Sequence, residues 1–192
     1  DGEAGHDHFE RLLAATGRRP NLESLQLERA GIPLDARGVP PSDPATCQVA
    51  DTPVFIAGDA AARRMLLHDA ADEGRIAGDN AGRWPDVRES IRSAPLAIAF
   101  TDPQLAVVGA GHAGLTAAGI SFATGAVDFS DQGRSRVMRR NRGLLHVYGE
   151  HGSGRFLGAE MVAPAGEHLA HLLAWALQAG WTVQQTLDAP YY

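Results

Sequence analysis

The clearest pattern of apolar and polar positions in the first half of the chain has the spacing of a helix. Residues 64–82 place apolar side chains at roughly helical intervals, with acids and arginines between them. The apolar positions are Leu66, Ala70, Ala71, Ile76 and Ala77. Gly82 and the Trp84-Pro85 pair end the pattern, because proline disfavours helix at the residue before it. The sequence therefore predicts one amphipathic helix over 64–82.

Two shorter apolar runs precede this helix and are typical of strands. Residues 9–15 (FERLLAA) lead into a Gly- and Pro-containing turn, which indicates the end of a strand, and residues 54–57 (VFIA) have the pattern of a short buried strand. Between them, residues 22–31 predict a short helical turn that Gly31 stops. The Pro- and Asp-rich residues 33–46 predict a loop with an edge strand at most.

From Pro95 onward, short apolar segments predict a run of strands followed by helices at 166–180 and 182–187. The predicted strands span 96–100, 106–109, 121–127, 144–148 and 156–162. Strands in sequence followed by helices indicate an α+β domain with an antiparallel sheet. Because the composition changes near residue 93, we expect one domain over 1–93 and a second over 94–192.

Composition and charge exclude several classes of protein. The 192 residues are 44% hydrophobic and 21% charged, which is typical of a folded chain. All 17 basic residues are arginines, and 23 acids give a net charge of −6, which argues against a general nucleic-acid binder. No window is apolar enough to span a membrane and no secretory signal is visible, so we expect a cytoplasmic location. Cys47, the single cysteine, lies in a polar loop and excludes an internal disulfide and a cysteine metal cage.

Gly58 and Asp59 follow the apolar run 54–57 and precede the predicted helix. An aspartate after a buried parallel strand would lie at the carboxyl edge of the sheet, where nucleotide ligands bind in open α/β folds. Its carboxylate accepts a hydrogen bond from a sugar-type hydroxyl, and the helix N-terminus beyond it stabilises an anion or an electron-rich carbonyl. The alternative is that Gly58 and Asp59 only end the strand at a turn and bind no ligand.

Four motifs occur in an order that adds specificity. They are ATGRRPN at 15–21, VFIAGDA at 54–60, MLLHDAADEG at 65–74 and FTDPQLAVVG at 100–109. The set resembles the pyridine nucleotide–disulfide oxidoreductases, FAD flavoproteins that include dihydrolipoamide dehydrogenase, glutathione reductase and mercuric reductase. His68 together with Glu73-Gly74 resembles the dihydrolipoamide dehydrogenase branch most. The resemblance implies the α/β portion of an FAD-binding Rossmann-type domain, with the end of the nicotinamide domain near 1–17, followed by an α+β interface (dimerisation) domain.

The resemblance also implies a cofactor site and partners. Asp59 would hydrogen-bond the ribityl chain of FAD with Gly58 beside it, and backbone N–H groups at the helix start would face the pyrimidine edge of the isoalloxazine. The implied cofactor-binding residues are Thr16, Gly17, Gly58, Asp59, Leu66, Leu67 and His68. The full-length enzyme would use FAD and NAD(P), act on a dithiol or disulfide substrate, and form a homodimer through 94–192.

Several parts of the family pattern are absent from this sequence, namely the N-terminal dinucleotide glycine motif, the paired redox cysteines, the second G-x-G-x-x-G and the His-Pro pair. We therefore expect a C-terminal fragment that carries no catalytic residue and is inactive alone. A glutathione reductase-like or mercuric reductase-like member and a non-catalytic dimerisation module are the alternatives.

Other candidate residues have ordinary explanations. His168 and His171 could share a metal, but no further ligand is evident and no metal site is predicted. The side chain of His68 is expected to have no proton chemistry. An arginine cluster lies within a net acidic chain and predicts either a solvated or inter-subunit loop or a site for phosphate or an acidic partner. Its members are Arg134, Arg136, Arg139, Arg140 and Arg142. Tyr148, Trp175 and Trp181 are expected in a core or an interface.

Overall fold

The computed structural model describes residues 6–190 and divides the chain into an N-terminal unit (Asp1–Ile91) and a C-terminal unit (Arg92–Tyr192). Within the described part of the N-terminal unit, the one α-helix is α1, Leu67–Arg83. Short 3-10 turns lie at Glu23–Leu25, Leu27–Ala30 and Gly58–Ala61. No helix of residues 6–190 is long and apolar enough to cross a membrane.

Helix α1 confirms the predicted amphipathic helix, although it begins at Leu67 rather than at residue 64. Its buried stripe includes Ile76 and Ala77 and recurs at helical spacing, while the positions between face solvent. The predicted turn over 22–31 is also confirmed, because Gly31 ends it in the left-handed region at φ 73°. Residues 33–46 form a loop, as expected.

Two strand predictions in the N-terminal unit are wrong. Residues 9–15 have no regular structure, and Leu12 and Leu13 are 84% and 87% exposed. Residues 54–57 form one isolated bridge, between Phe55 and Gln48, and belong to no sheet. A strand needs hydrogen-bonding partners along its length, and the described part of this unit supplies none beyond that bridge.

Among its described residues, the N-terminal unit has two small apolar cores. The first gathers residues from the loops on either side of position 40, namely Leu22, Ile32, Val39, Val49, Ile56 and Ala61. The second joins Cys47 to Ile76 and Ala77 of α1. The described residues of this unit form no sheet, and their loop side chains build one core by themselves and the other together with α1.

The C-terminal unit is an antiparallel sheet with helices, which confirms the predicted α+β class and all five predicted strands. The strands are β1 (Leu96–Ala99), β2 (Gln104–Gly109), β3 (Phe122–Asp128), β4 (Leu144–Glu150) and β5 (Phe156–Ala163). Their order across the sheet is β1-β2-β5-β4-β3. The helices are α2 (His112–Ala117), α3 (Gly133–Val137), α4 (Gly166–Gln178) and α5 (Val183–Asp188). Helices α4 and α5 are the two predicted ones, and α2 and α3 were not predicted.

One face of the sheet is covered by α4, which packs against β1, β2 and β5. The buried residues at this contact are mostly small on the helix and larger on the strands, as Ala170 and Ala174 against Val108 and Phe156 show. Alanines let the helix approach the sheet closely, so apolar area is removed from water on both sides. This layer is the main core of the unit.

The other face of the sheet carries an open row of apolar side chains. The strand registers align Ala99, Leu105, Val162 and Leu144 across four strands. Leu105 and Leu144 are 45% and 41% exposed, and they line a shallow cleft of about 470 Å³.

Candidate functional site

The turn at Gly58 and Asp59 requires glycine at its first position. Gly58 has a φ of +66°, and a Cβ built on it would lie 3.0 Å from the Cβ of Ala70 in α1. Both the backbone conformation and the close approach of the helix would strain a larger residue at this position. Glycine thus sets the direction in which Asp59 leaves the turn.

A buried carboxylate from α1 holds this turn in place. Glu73 is 1% exposed and accepts hydrogen bonds from the backbone N–H of Gly58 at 2.7 Å and from Nε of Arg63 at 3.0 Å. Arg63 in turn donates to Oγ of Ser42 at 2.6 Å. Buried charges persist in proteins when they are paired and hydrogen-bonded, and this one is. Glu73 therefore positions the backbone that carries Asp59.

A second ion pair fixes the connection between the turn and α1. Nη2 of Arg64 lies 3.0 Å from Oδ1 of Asp69, whose side chain is 5% exposed. Asp69 lies in the first turn of α1, where the helix dipole favours a negative charge. The neighbouring Arg63 and Arg64 are each paired with a carboxylate of α1, and these two ion pairs hold the segment before the helix against it.

The carboxylate of Asp59 lies at the surface and pairs with Arg18. Their Oδ2 and Nη1 atoms are 2.7 Å apart, and the two side chains are 52% and 64% exposed. An exposed pair of this kind contributes at most about 1 kcal/mol, so a ligand hydroxyl can compete for the carboxylate. Arg18 also brings the segment with Thr16 and Gly17 to Asp59, and Gly17 has a φ of +83°.

The start of α1 offers backbone donors. Leu66 is half-buried and precedes the helix without a side-chain capping hydrogen bond, while Leu67 and His68 are exposed. The N–H groups of a first helical turn have no partner within the helix and carry a partial positive charge. The arrangement suits an electron-rich atom placed against the helix start.

The expected position of Asp59 at the carboxyl edge of a parallel sheet is wrong, because residues 54–57 do not form a sheet strand here. Sequence reasoning also missed the residues that build the turn. Glu73 lies on the same buried stripe of α1 as Asp69, Ile76, Ala77 and Asn80, at the spacing of one helix face. A carboxylate at a stripe position is the signal that would have identified it.

Cys47 lies in a loop, as expected, and its side chain is fully buried. It packs with Ile76 and Ala77, and its sulfur lies 3.6 Å from the backbone oxygen of Glu73. It thus supports the same part of α1 that holds the Gly58 turn.

A separate polar cluster lies on the open face of the C-terminal sheet. Glu160 accepts hydrogen bonds from the Tyr148 hydroxyl at 2.5 Å and from the backbone N–H of His112 at 2.9 Å. Burial, and then the hydrogen bond to Glu160, raise the pKa of Tyr148 to about 12. The N–H of His112, and then the Tyr148 hydroxyl, lower the pKa of Glu160. The rings of Tyr148, His112 and Phe122 meet edge to face, so the cluster fastens the start of α2 to the sheet.

The remaining candidates are distributed over the C-terminal unit. Tyr148 is 1% exposed and confirms its core prediction, whereas Trp175 is 68% and Trp181 38% exposed. His171 contacts the backbone oxygen of Glu167 through Nδ1 at 2.8 Å. Across residues 6–190, no group of three or more His, Cys, Asp or Glu side chains could hold a metal ion.

Two family profiles match the chain. Residues 2–74 match the pyridine nucleotide-disulphide oxidoreductase profile, and residues 96–191 match that of the pyridine nucleotide-disulphide oxidoreductase dimerisation domain. Dihydrolipoyl dehydrogenase 3 of Haloarcula marismortui is 30% identical over 183 residues, which is 93% of this chain and 38% of that protein. Mercuric reductase of Streptomyces lividans is 33% identical over 175 residues, which is 91% of this chain and 36% of that protein.

Solved structures agree with these relatives. LpdA of Mycobacterium tuberculosis superposes with a TM-score of 0.78 at 26% identity, covering 93% of this chain and 38% of that one. The HOCl-induced flavoprotein disulfide reductase RclA of Escherichia coli gives 0.75 at 23% identity over 93% of this chain and 41% of that one, a likeness of fold alone. The chain thus spans about two fifths of the length of the proteins it matches.

Proposed function

The chain belongs to the pyridine nucleotide–disulfide oxidoreductase family, and on that premise we propose that it forms the C-terminal portion of an FAD-dependent enzyme. That enzyme would pass electrons between NAD(P)(H), FAD, a cysteine pair and a dithiol or disulfide substrate. In this proposal residues 1–93 complete the FAD-binding domain, with the end of the nicotinamide domain near 1–17, and residues 94–192 are the interface domain.

The observation that carries the proposal is the Gly58 turn clamped by Glu73. It presents the Asp59 carboxylate a few residues before a helix start whose N-cap residue, Leu66, supplies no capping side chain. A flexible hydroxylated chain would bind at Asp59, and an electron-rich ring edge would bind at the N–H groups of Leu66, Leu67 and His68. FAD has both parts, and when bound it supplies the two-electron redox chemistry of the enzyme.

Thr16 and Gly17 belong to the same proposed site through Arg18. Because Arg18 holds Asp59 in an exposed pair, a hydroxyl of the cofactor chain would share or replace that contact. The left-handed backbone of Gly17 allows the chain to turn close to the site without a side chain in the way.

Within the family we propose a dihydrolipoamide dehydrogenase-like activity, supported by His68 with Glu73-Gly74 in the α1 motif. A mercuric reductase-like activity is the second candidate, because mercuric reductases match the chain at 31–33% identity and dihydrolipoyl dehydrogenases at 30–32%. The remaining candidates are a glutathione reductase-like enzyme and a dimerisation module without catalysis. The activity assay described below distinguishes all four.

We further propose that the enzyme is a cytoplasmic homodimer assembled through residues 94–192. The match of the C-terminal unit to a dimerisation domain supports this, together with the exposed Leu172 and Trp175 on the outer side of α4. Light scattering after size exclusion tests the dimer: Trp175→Ser should shift the equilibrium towards monomer, and an unchanged mass would oppose a role for this helix. Fractionation of source cells tests the location.

The decisive experiment uses the complete protein that contains this chain. We expect a yellow protein that oxidises NAD(P)H in the presence of lipoamide. Glutathione disulfide and Hg²⁺ are tested as alternative substrates. The 192-residue chain alone is the control and is expected to be inactive. Turnover with Hg²⁺ but not lipoamide would move the assignment to the second candidate. Turnover by the 192-residue chain alone would overturn the expected inactivity, and a colourless protein without turnover would leave the dimerisation module.

The proposed site has its own test. Asp59→Ala should weaken FAD binding by about tenfold, since it removes a hydrogen bond to a charged group. Asp51→Ala, a change at an exposed aspartate, is the matched control and should bind FAD like the unmodified protein. Equal affinity in the two variants would remove Asp59 from the site.

A further inference from the structure

Arginines of the C-terminal unit are concentrated in one surface loop. The unit has seven arginines and seven acidic residues, and five of the arginines lie between positions 134 and 142. We call Arg134, Arg136, Arg139, Arg140 and Arg142 the arginine loop. They begin on α3 and continue through a left-handed turn at Arg139, whose φ is 54°. All five side chains belong to exposed residues.

Most of these positive charges are not balanced locally. Arg136 pairs with Asp131 at 2.7 Å, and this is the loop's one ion pair among residues 6–190. The nearby Asp128 instead accepts a hydrogen bond from the backbone N–H of Ser130 at 2.7 Å. Like charges placed this densely repel one another and lower the stability of the folded chain. An acidic ligand would relieve that repulsion.

The backbone under the arginines is well anchored. Phe129 and Ser135 are 6% and 4% exposed, and Asn141 donates to the backbone oxygen of Ser130 at 2.7 Å. Gly143 ends the loop so close to β5 that an added Cβ would collide with the backbone oxygen of Val162. A loop ordered in advance loses little backbone entropy when it binds, so its charges are available for recognition.

Two exposed apolar side chains lie among the arginines, and they indicate which class of ligand the loop binds. Val137 is 78% and Met138 44% exposed. Arginine and methionine are both enriched in protein–protein interfaces. Nucleic acid fits less well, because Phe129, the aromatic residue nearest to the loop along the chain, is buried and the whole chain has a net charge of −6. A small anion would leave Val137 and Met138 without a role, and α3 has five residues, too few for an N-terminal anion site.

We propose that the arginine loop is a docking surface for an acidic segment of another protein, one that also carries apolar side chains. Arg134, Arg139, Arg140 and Arg142 meet its carboxylates, and Val137 with Met138 contact its apolar residues. This goes beyond the proposed redox function and does not depend on it, since neither flavin nor substrate takes part.

The test measures binding of a fluorescein-labelled peptide of alternating glutamate and leucine to the 192-residue chain. We expect binding that weakens steeply with salt and is absent for the peptide with glutamine in place of glutamate. Arg140→Glu with Arg142→Glu should weaken binding about tenfold, as loss of two surface pairs and gain of repulsion predict. The matched control is Arg11→Glu with Arg29→Glu, which makes the same charge change at exposed arginines elsewhere and should leave affinity unchanged. Met138→Gln should weaken it about twofold by removing apolar contact.

Several results would overturn the proposal. Equal losses in the two double variants would show attraction by net charge alone. An oligonucleotide or inorganic phosphate that displaced the peptide at a lower concentration would assign another ligand class. A dimer of the unmodified chain that Arg140→Glu with Arg142→Glu dissociates would assign the loop to a second copy. The salt dependence of the unmodified chain needs no variant, and salt-independent binding would also reject the proposal.

Discussion

The interiors of the two units of this chain are stabilised by different kinds of interaction. In the N-terminal unit, one helix carries two buried carboxylates, Asp69 and Glu73, each paired with an arginine from the preceding segment. In the C-terminal unit, the core between α4 and the sheet is formed by apolar side chains such as Val108 and Phe156. These ion pairs add to the two small apolar cores of the N-terminal unit. A buried ion pair tolerates loss of one partner poorly, whereas an apolar core loses stability in proportion to the volume removed.

The largest expected effect lies in the apolar core. Phe156→Ala should lower the free energy of unfolding by about 4 kcal/mol, because it removes a side chain that is 2% exposed and leaves a cavity. Chemical denaturation followed by tryptophan fluorescence measures the change. Phe100→Ala is the control at a side chain that is 76% exposed, and it should cost far less. Similar costs at the two positions would contradict the core as described.

The buried ion pair between Glu73 and Arg63 should be nearly as sensitive, even to a substitution that keeps the size of the side chain. Glu73→Gln keeps the size of the side chain but leaves Arg63 without its anion, which should cost about 3 kcal/mol. Hydrogen exchange detected by mass spectrometry should show faster exchange of the α1 amides. The exposed Glu89→Gln should leave those amides protected. Equally faster exchange in the sheet of the C-terminal unit would contradict the proposed difference between the two units.

The polar cluster on the open sheet face should give a moderate effect that depends on pH. Tyr148→Phe removes the hydrogen bond to Glu160 and should cost about 1.5 kcal/mol at neutral pH. Since folding raises the pKa of Tyr148 from 10.0 to about 12, its contribution is complete below pH 10 and is lost as the pH rises towards 12. Denaturation of both proteins over that range measures this. A constant difference between them would contradict the role of the hydroxyl proton.

The smallest effect is expected at the surface pair next to the proposed cofactor site. Arg18→Ala should change the free energy of unfolding by less than about 1 kcal/mol, because both partners are more than half exposed. Thermal unfolding followed by circular dichroism is sufficient to detect a larger change. A loss as great as that of Glu73→Gln would mean that the N-terminal unit depends on its surface charges as well.

The same contrast explains what could be predicted from sequence. All five strands of the C-terminal unit follow from apolar runs, because each strand finds a hydrogen-bonding neighbour within the unit. Residues 9–15 have an equally apolar run, yet apolar character alone does not supply the partner that a strand requires. Helices α2 and α3 have six and five residues, too few for a periodic pattern to identify.

The sequence indicates which stretch of chain forms the candidate site, but only part of the contacts that build it. The motif around Gly58, Asp59 and the start of α1 identified the stretch that the structure arranges as one turn and one helix start. The clamp by Glu73 was missed because an isolated glutamate is most often solvated, although its spacing places it on the buried stripe. The pair between Arg18 and Asp59 joins positions far apart in sequence, so no local pattern indicates it.

The order of the strands has a practical consequence for handling the protein. β3 is an outer strand that hydrogen-bonds β4 alone among the described residues, and its segment from Phe122 to Val127 carries no charge. The other outer strand, β1, has only four residues. A long, uncharged edge accepts strands from neighbouring molecules, which is how many proteins begin to precipitate. We therefore expect aggregation in concentrated solution to begin at β3. Gly125→Lys, which places a charge on this edge, is the simplest substitution to reduce it.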